Sequence, residues 1–276
     1  MKRLILHSLF ALSAAYSLSA RGAEAPPGQI AISPSMVEMP IGEKPVSGSI
    51  RMQNLKKEAV NIKVTAYNWT TDEQNQVKLI PGNGQSLDKW LLISPVTFTI
   101  EPGGSQVIRY SIRPSETPEA GEHRAMIFLS EEAPANVAGN NGLQVRFSYG
   151  MAMYGYSSST HEVAELEGLS LDRNSSAIKA VVRNTGNVHT RLTGDYTIWK
   201  AGTFPGFNAM KAYVENGKEG ARPAGLITSG SLHSSPVLPG QRRTIAEKLD
   251  TSGCTDGYVV AVSGKIGGRP IEKLLR

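Results

Sequence analysis

Between residues 143 and 154 a large side chain stands at every second position. Leu143, Val145, Phe147, Tyr149, Met151 and Met153 alternate with Gln144, Arg146, Ser148, Gly150 and Ala152. Successive side chains of a strand point to opposite faces, so the six large residues share one face. Twelve residues at about 3.3 Å each make a strand of roughly 40 Å. A sandwich strand usually runs to about five or six residues, so this stripe is longer than one sandwich face needs. Part of it is expected to overhang.

The rest of the chain is also written in short alternating segments. Strands are expected at residues 46–54, 61–71, 96–100, 106–113 and 125–129. After the long stripe they resume at 166–171, 177–183, 192–200, 243–249, 257–264 and 271–275. Gly, Pro, Asn and Ser punctuate them, as in Glu101-Pro102-Gly103-Gly104 and Thr185-Gly186-Asn187. No segment shows a sustained helical period with caps. Many short strands at this spacing indicate an all-β protein of sandwich type. Residues 204–225 read as a Gly-containing loop with one apolar patch and no assigned role.

The first 25 residues are read as an export signal. Lys2 and Arg3 precede a diluted apolar run over residues 4–18, and Ala23-Glu24-Ala25 fits a small-x-small cleavage pattern; cleavage after Ser19 or Ala20 fits nearly as well. The run is too short to span a bilayer, and no later stretch is long and apolar enough to do so. The expected location is the periplasm, with no membrane span. The remaining 251 residues suit two domains, and Ser157-Ser158-Ser159-Thr160 marks a polar boundary between residues 26–157 and 158–276.

Composition excludes several functions. Without the signal, 26 basic residues face 23 acidic ones. No basic run with interleaved aromatics accompanies that balance, so no nucleic-acid partner is expected. Cys254 is the only cysteine and cannot form an internal disulfide, so a buried apolar residue or a shielded loop residue is expected, the alternative being a site of intermolecular pairing. His123, His161, His189 and His233 lie far apart in sequence, and no paired-ligand spacing is present. No nucleophile elbow or phosphate loop occurs. Glu131-Glu132 reads as a solvated loop edge rather than an acid/base pair. No catalytic residues, cofactor or metal are therefore expected.

The order of motifs over residues 30–156 resembles the N-terminal domain of PapD-like periplasmic pilus chaperones. The resemblance rests on Ile50-Arg51-Met52-Gln53-Asn54, the segment leading to Trp69, and Ile93-Ser94-Pro95. It continues through Phe98-Thr99-Ile100-Glu101-Pro102-Gly103, Gln106-Val107-Ile108-Arg109, and the Glu122/Arg124 segment before the long stripe. Arg183-Asn184-Thr185-Gly186-Asn187 and Leu238-Pro239-Gly240 are similar to turns of that family's second domain. The resemblance implies two immunoglobulin-like β-sandwich domains in an L or boomerang arrangement. It implies a chaperone that lends a strand to a pilus or fimbrial subunit, delivers it to an outer-membrane usher, and can self-associate through the same edge when free. Carried over by position, the donor residues are Leu143, Val145, Phe147 and Tyr149. The family's two basic anchors for the subunit's terminal carboxylate fall on Met36 and Ala152, which cannot serve. Arg146, Arg109 and Arg113 are the candidate replacements. The alternative is an exported immunoglobulin-like structural or adhesive protein without a pilin client.

Overall fold

The computed structural model describes residues 30–72, 75–132, 146–217, 222–254 and 257–276. The first group of elements is β1 (Ile30–Ser33), β2 (Val37–Pro40), β3 (Val46–Asn54), β4 (Val60–Thr71), β5 (Val77–Ile80), α1 (Leu87–Trp90), β6 (Leu91–Ser94), β7 (Thr97–Ile100), β8 (Ser105–Ile112), β9 (Glu122–Glu132) and β10 (Ser148–Tyr156). One sheet runs β1-β3-β8-β6 and the facing one β2-β10-β9-β4-β5, with β7 sharing the β5 side of β4. The alternation that predicts these strands also fills the core. Ile50 and Met52 from β3, Ile62 and Val64 from β4, Ile108 from β8, Ile127 from β9, and Met151 and Met153 from β10 meet between the sheets.

The second group is β11 (Ala164–Asp172), β12 (Ala177–Asn184), β13 (Thr190–Arg191), β14 (Thr193–Lys200), α2 (Phe207–Glu215), β15 (Leu226–Ser231), β16 (Pro236–Val237), β17 (Arg242–Lys248), β18 (Tyr258–Ile266) and β19 (Arg269–Leu275). Its sheets are β11-β12-β17, β13-β16 and β15-β14-β18-β19. Among the described residues no sheet draws strands from both groups. A separate core of Ile178, Val182, Ile198, Ile245 and Val262 fills the second sandwich. The protein is thus all-β, built as two immunoglobulin-like sandwiches.

Both sandwiches use one device to fix a strand end. The buried Asn54 amide donates to the Glu58 and Ile100 carbonyls at 2.8 and 2.9 Å, and its oxygen accepts the Lys56 N–H at 2.9 Å. Asn184 repeats this on Val188 and Val237, both at 2.8 Å, and accepts the Gly186 N–H at 2.9 Å. A buried amide with donors and acceptor satisfied ties a loop to a strand that shares no ladder with it.

Two expectations need correction. Residues 204–225 are not simply a loop: α2 occupies Phe207–Glu215. Phe207, Met210 and Tyr213 recur three apart and join Trp199, Phe204, Leu226 and Ala261 in a satellite core. So short a helix is marginal alone, and it is held by this packing rather than by a cap, since Gly206 at its N-terminus offers no side chain. Glu131 is not a solvated loop residue. It lies in β9, where Lys56 donates to it at 2.7 Å and both side chains are largely buried.

Candidate functional site: an open strand edge beside the inter-domain cleft

β10 pairs antiparallel with β9 along its whole length, from Ser148 opposite Ser130 to Tyr156 opposite Glu122. On its other side β2 runs parallel but covers only Met153 to Tyr156. Among the described residues, positions 148–152 carry no strand on that side. The reason lies in the chain just upstream. β1 belongs to the opposite sheet, and the chain crosses at residues 34–36, so β2 reaches β10 only from Val37 onward.

Burial of the apolar stripe reaches further along the strand than β2 does, as far as Met151 within the open edge. Met151 and Met153 are 0 % exposed, inside the first core. Tyr149 is 39 % exposed, its hydroxyl donating to the Ser35 carbonyl at 3.4 Å, and Phe147 is 53 % exposed. Phe147 lies just beyond β10, where its carbonyl accepts the Glu131 N–H at 2.9 Å and the Lys56 ammonium sits 5.5 Å from its ring centre. The ion pair with Glu131 thus also places a cation over Phe147. Leu143 and Val145 lie outside the described residues.

The three candidate arginines are not brought together. Arg146 precedes β10 beside Phe147. Arg109 stands on β8 in the opposite sheet, exposed, opposite Ser49 and Ser94. Arg113 follows β8 and donates to the Ser111 hydroxyl at 3.4 Å. Arg191 is not among the candidates that the sequence offers, and the structure adds it. Arg191, on β13 of the second sandwich, reaches across to Met36 of the first, with Nη2 3.4 Å from the thioether sulfur and 3.3 Å from the Tyr154 hydroxyl. Apart from His189 two positions before it, its partners Tyr154, Ser234 and Met36 lie 37, 43 and 155 positions away, so the sequence alone does not mark it.

Arg191 lines a cavity of about 710 Å³ between the sandwiches, with Met36, Glu38, Tyr156, His189 and Lys265. The walls are rigidly joined. Glu122 has a fully buried carboxylate whose Oε2 accepts the His189 backbone N–H at 2.7 Å and faces His189 Nδ1 at 2.6 Å. The His189 ring lies over Tyr154 with centres 4.2 Å apart. Leu238 of the second sandwich is fully buried against Trp69, Met126 and Tyr154 of the first. Arg243 donates to Thr71 and Asn75, and Gln241 accepts from Thr71 at 2.9 Å. Gly121 sits at φ +117°, with the Asn187 carbonyl 2.6 Å from where a Cβ would stand. Only glycine lets the two chains approach so closely there. Burial, opposed by the Arg191 charge, pushes the Tyr154 hydroxyl up to about 12. It stays neutral near Arg191, able both to accept and to donate.

No family model matches the chain, and no curated protein matches it. Among solved structures it is similar to PapD-like fimbrial chaperones, the group its sequence resembles. A chaperone–tip adhesin complex of CFA/I fimbriae biogenesis is 13 % identical, with TM-score 0.47 over 89 % of this chain and 98 % of that one. The class 5 fimbriae chaperone CfaA is 13 % identical, with TM-score 0.46 over 90 % and 99 %. The Pseudomonas aeruginosa CupB2 chaperone is 12 % identical, with TM-score 0.44 over 88 % and 98 %. Among the described residues no group of His, Cys, Asp and Glu could hold a metal ion, and no helix is long and apolar enough to cross a membrane.

Proposed function

We propose that this protein is a periplasmic chaperone that captures pilus or fimbrial subunits by lending them the edge of β10, and that it passes them to an outer-membrane usher. One observation carries the reading. The apolar stripe leaves its own core at Tyr149 and Phe147, beside a strand edge open over residues 148–152. An open edge with spare apolar side chains is an aggregation hazard in a protein with no use for it. A client that lacks one strand would use both parts. Its backbone would pair with the open edge, and its groove would take the alternate side chains Leu143, Val145, Phe147 and Tyr149.

The blocked end of the edge indicates where such a client would stop. A strand laid along residues 148–152 toward the cleft meets β2 and must end or turn there. Arg191 stands at that point without a carboxylate partner among the described residues. It is a better-placed cation for a chain-terminal carboxylate than Arg109 or Arg113, which lie on the opposite sheet.

The test is co-expression with a candidate pilin, followed by purification of the complex. Changing Leu143 and Val145 together to Glu is expected to abolish capture and leave the thermal midpoint of the free protein unchanged. Survival of the complex would remove the donor assignment. A folded protein that binds a surface ligand but no pilin would favour the adhesive alternative.

A further inference from the structure

The hydrogen bonds around His189 describe a device that the capture reading does not require. Glu122 is walled in by protein and has Arg124 at 3.5 Å. A carboxylate accepts only, so at 2.6 Å His189 must present Nδ1–H to it. On the opposite side of the ring, Arg191 Nε–H donates to His189 Nε2 at 3.2 Å. A guanidinium has no lone pair to offer, so Nε2 must be bare. The ring is therefore neutral in this arrangement, in the Nδ1–H tautomer. Glu38 stands 3.7 Å from the same Nε2, on β2 and partly in solvent.

These partners respond unequally to a proton. Nδ1 carries hydrogen in both states, so Glu122 holds the ring throughout. Nε2 changes from acceptor to donor. Its bond from Arg191 is then lost and two cations face each other, while Glu38 gains a charged donor. The remaining holds on Arg191 are the Ser234 carbonyl at 2.7 Å, the Tyr154 hydroxyl and the Met36 sulfur. The space it can turn into is the 710 Å³ cavity it lines. The other titratable groups facing this point are Tyr156 on β10, Glu162 (bonded to Thr190 at 2.8 Å) and Lys265 on β18. Tyr156 stays neutral, its hydroxyl raised by burial and by Glu38.

We infer that His189 is a proton-operated latch: neutral, it holds Arg191 across the domain interface; protonated, it takes Glu38 instead and turns the guanidinium out into the cleft. Acidification thereby adds a mobile cation to the cleft without separating the sandwiches.

The experiment is a titration of the full mature chain alone, so its result is independent of whether a pilin is captured. Nitrogen-15 NMR would follow the His189 ring and the Arg191 Nε–H from about pH 8 to about pH 5. At the upper end the Nδ1–H tautomer is expected. The Arg191 signal should then move in the same step that protonates Nε2. Glu38→Gln should move that step to lower pH and Arg191→Leu to higher pH. An Nε2–H tautomer at the upper end, a His189 that does not titrate, or an Arg191 signal that stays still while His189 titrates would overturn the latch. If a variant fails to fold, the coincidence of the two wild-type signals decides.

Discussion

Phe147 and Met151 occupy the same stripe four residues apart, yet they answer to different partners. Met151 is sealed in the first core, so Met151→Ala should cost about 2–5 kcal/mol of stability through lost burial and a cavity. Phe147 is mostly exposed, so Phe147→Ala should change stability by no more than about 0.5 kcal/mol. In the capture assay the order reverses. Filling a client groove with a Phe side chain contributes about 1.5–3 kcal/mol, so Phe147→Ala should weaken capture about 10- to 100-fold. Chemical denaturation and a pull-down titration check the pair. Asp172 offers a test of charge. It takes a bond from Lys179 at 2.5 Å and from the Asn174 N–H at 3.0 Å, and the bonds from Lys179 and Ser175 hold its carboxyl well below the usual range. A carboxyl lowered on folding stabilises fully above its unfolded value, near about 4, and loses that contribution as pH falls toward the folded value. The thermal midpoint should therefore drop on acidification below about pH 4, and Asp172→Asn should flatten part of that slope. Both side chains are partly in water, so the effect is small.

At the scale of elements, the alternation over residues 143–154 predicts a strand, and β10 takes up its later part and runs two residues further, Ser148–Tyr156; Arg146 and Phe147 precede the strand, and residues 143–145 lie outside the described residues. The change of company along it was not legible. Met151 and Phe147 look alike in sequence, and only the tertiary structure seals one in the first core and leaves the other exposed; separately, the crossing of the chain at residues 34–36 lets β2 cover Met153 to Tyr156 and leaves residues 148–152 open. This gives a backbone prediction. In the free protein the outward-pointing amides within residues 148–152 should exchange with solvent quickly, while those bonded to β9 stay protected. On client binding the same amides should become slow. Hydrogen-exchange mass spectrometry on a peptide spanning them measures both states, and unchanged exchange in a purified complex would place the client elsewhere. The helix α2 was missed for a related reason. Its three aromatic or methionine anchors make a weak helical pattern, and the surface that stabilises it comes from β14, β15 and β18.

At the scale of the whole molecule, the two sandwiches are coupled by a few well-buried groups. Leu238 is the apolar plug, and Leu238→Ala should cost about 2–5 kcal/mol and pull one unfolding transition into two, visible by calorimetry. Most of the short strands, the turns and the asparagine-ended strand at Asn54 follow from local periodicity and turn chemistry. They could be read from the amino-acid order because each depends on neighbours a few positions apart. The cleft, the meeting of Glu122 with His189, the arrival of Arg191 beside Met36 and the half-open edge of β10 were decided by the tertiary structure alone. They join residues 67 to 155 positions apart, and such pairings carry no periodic trace in a single chain. What brings them together is the burial of Leu238 and the docking of one sandwich on another, which no stretch of sequence expresses by itself.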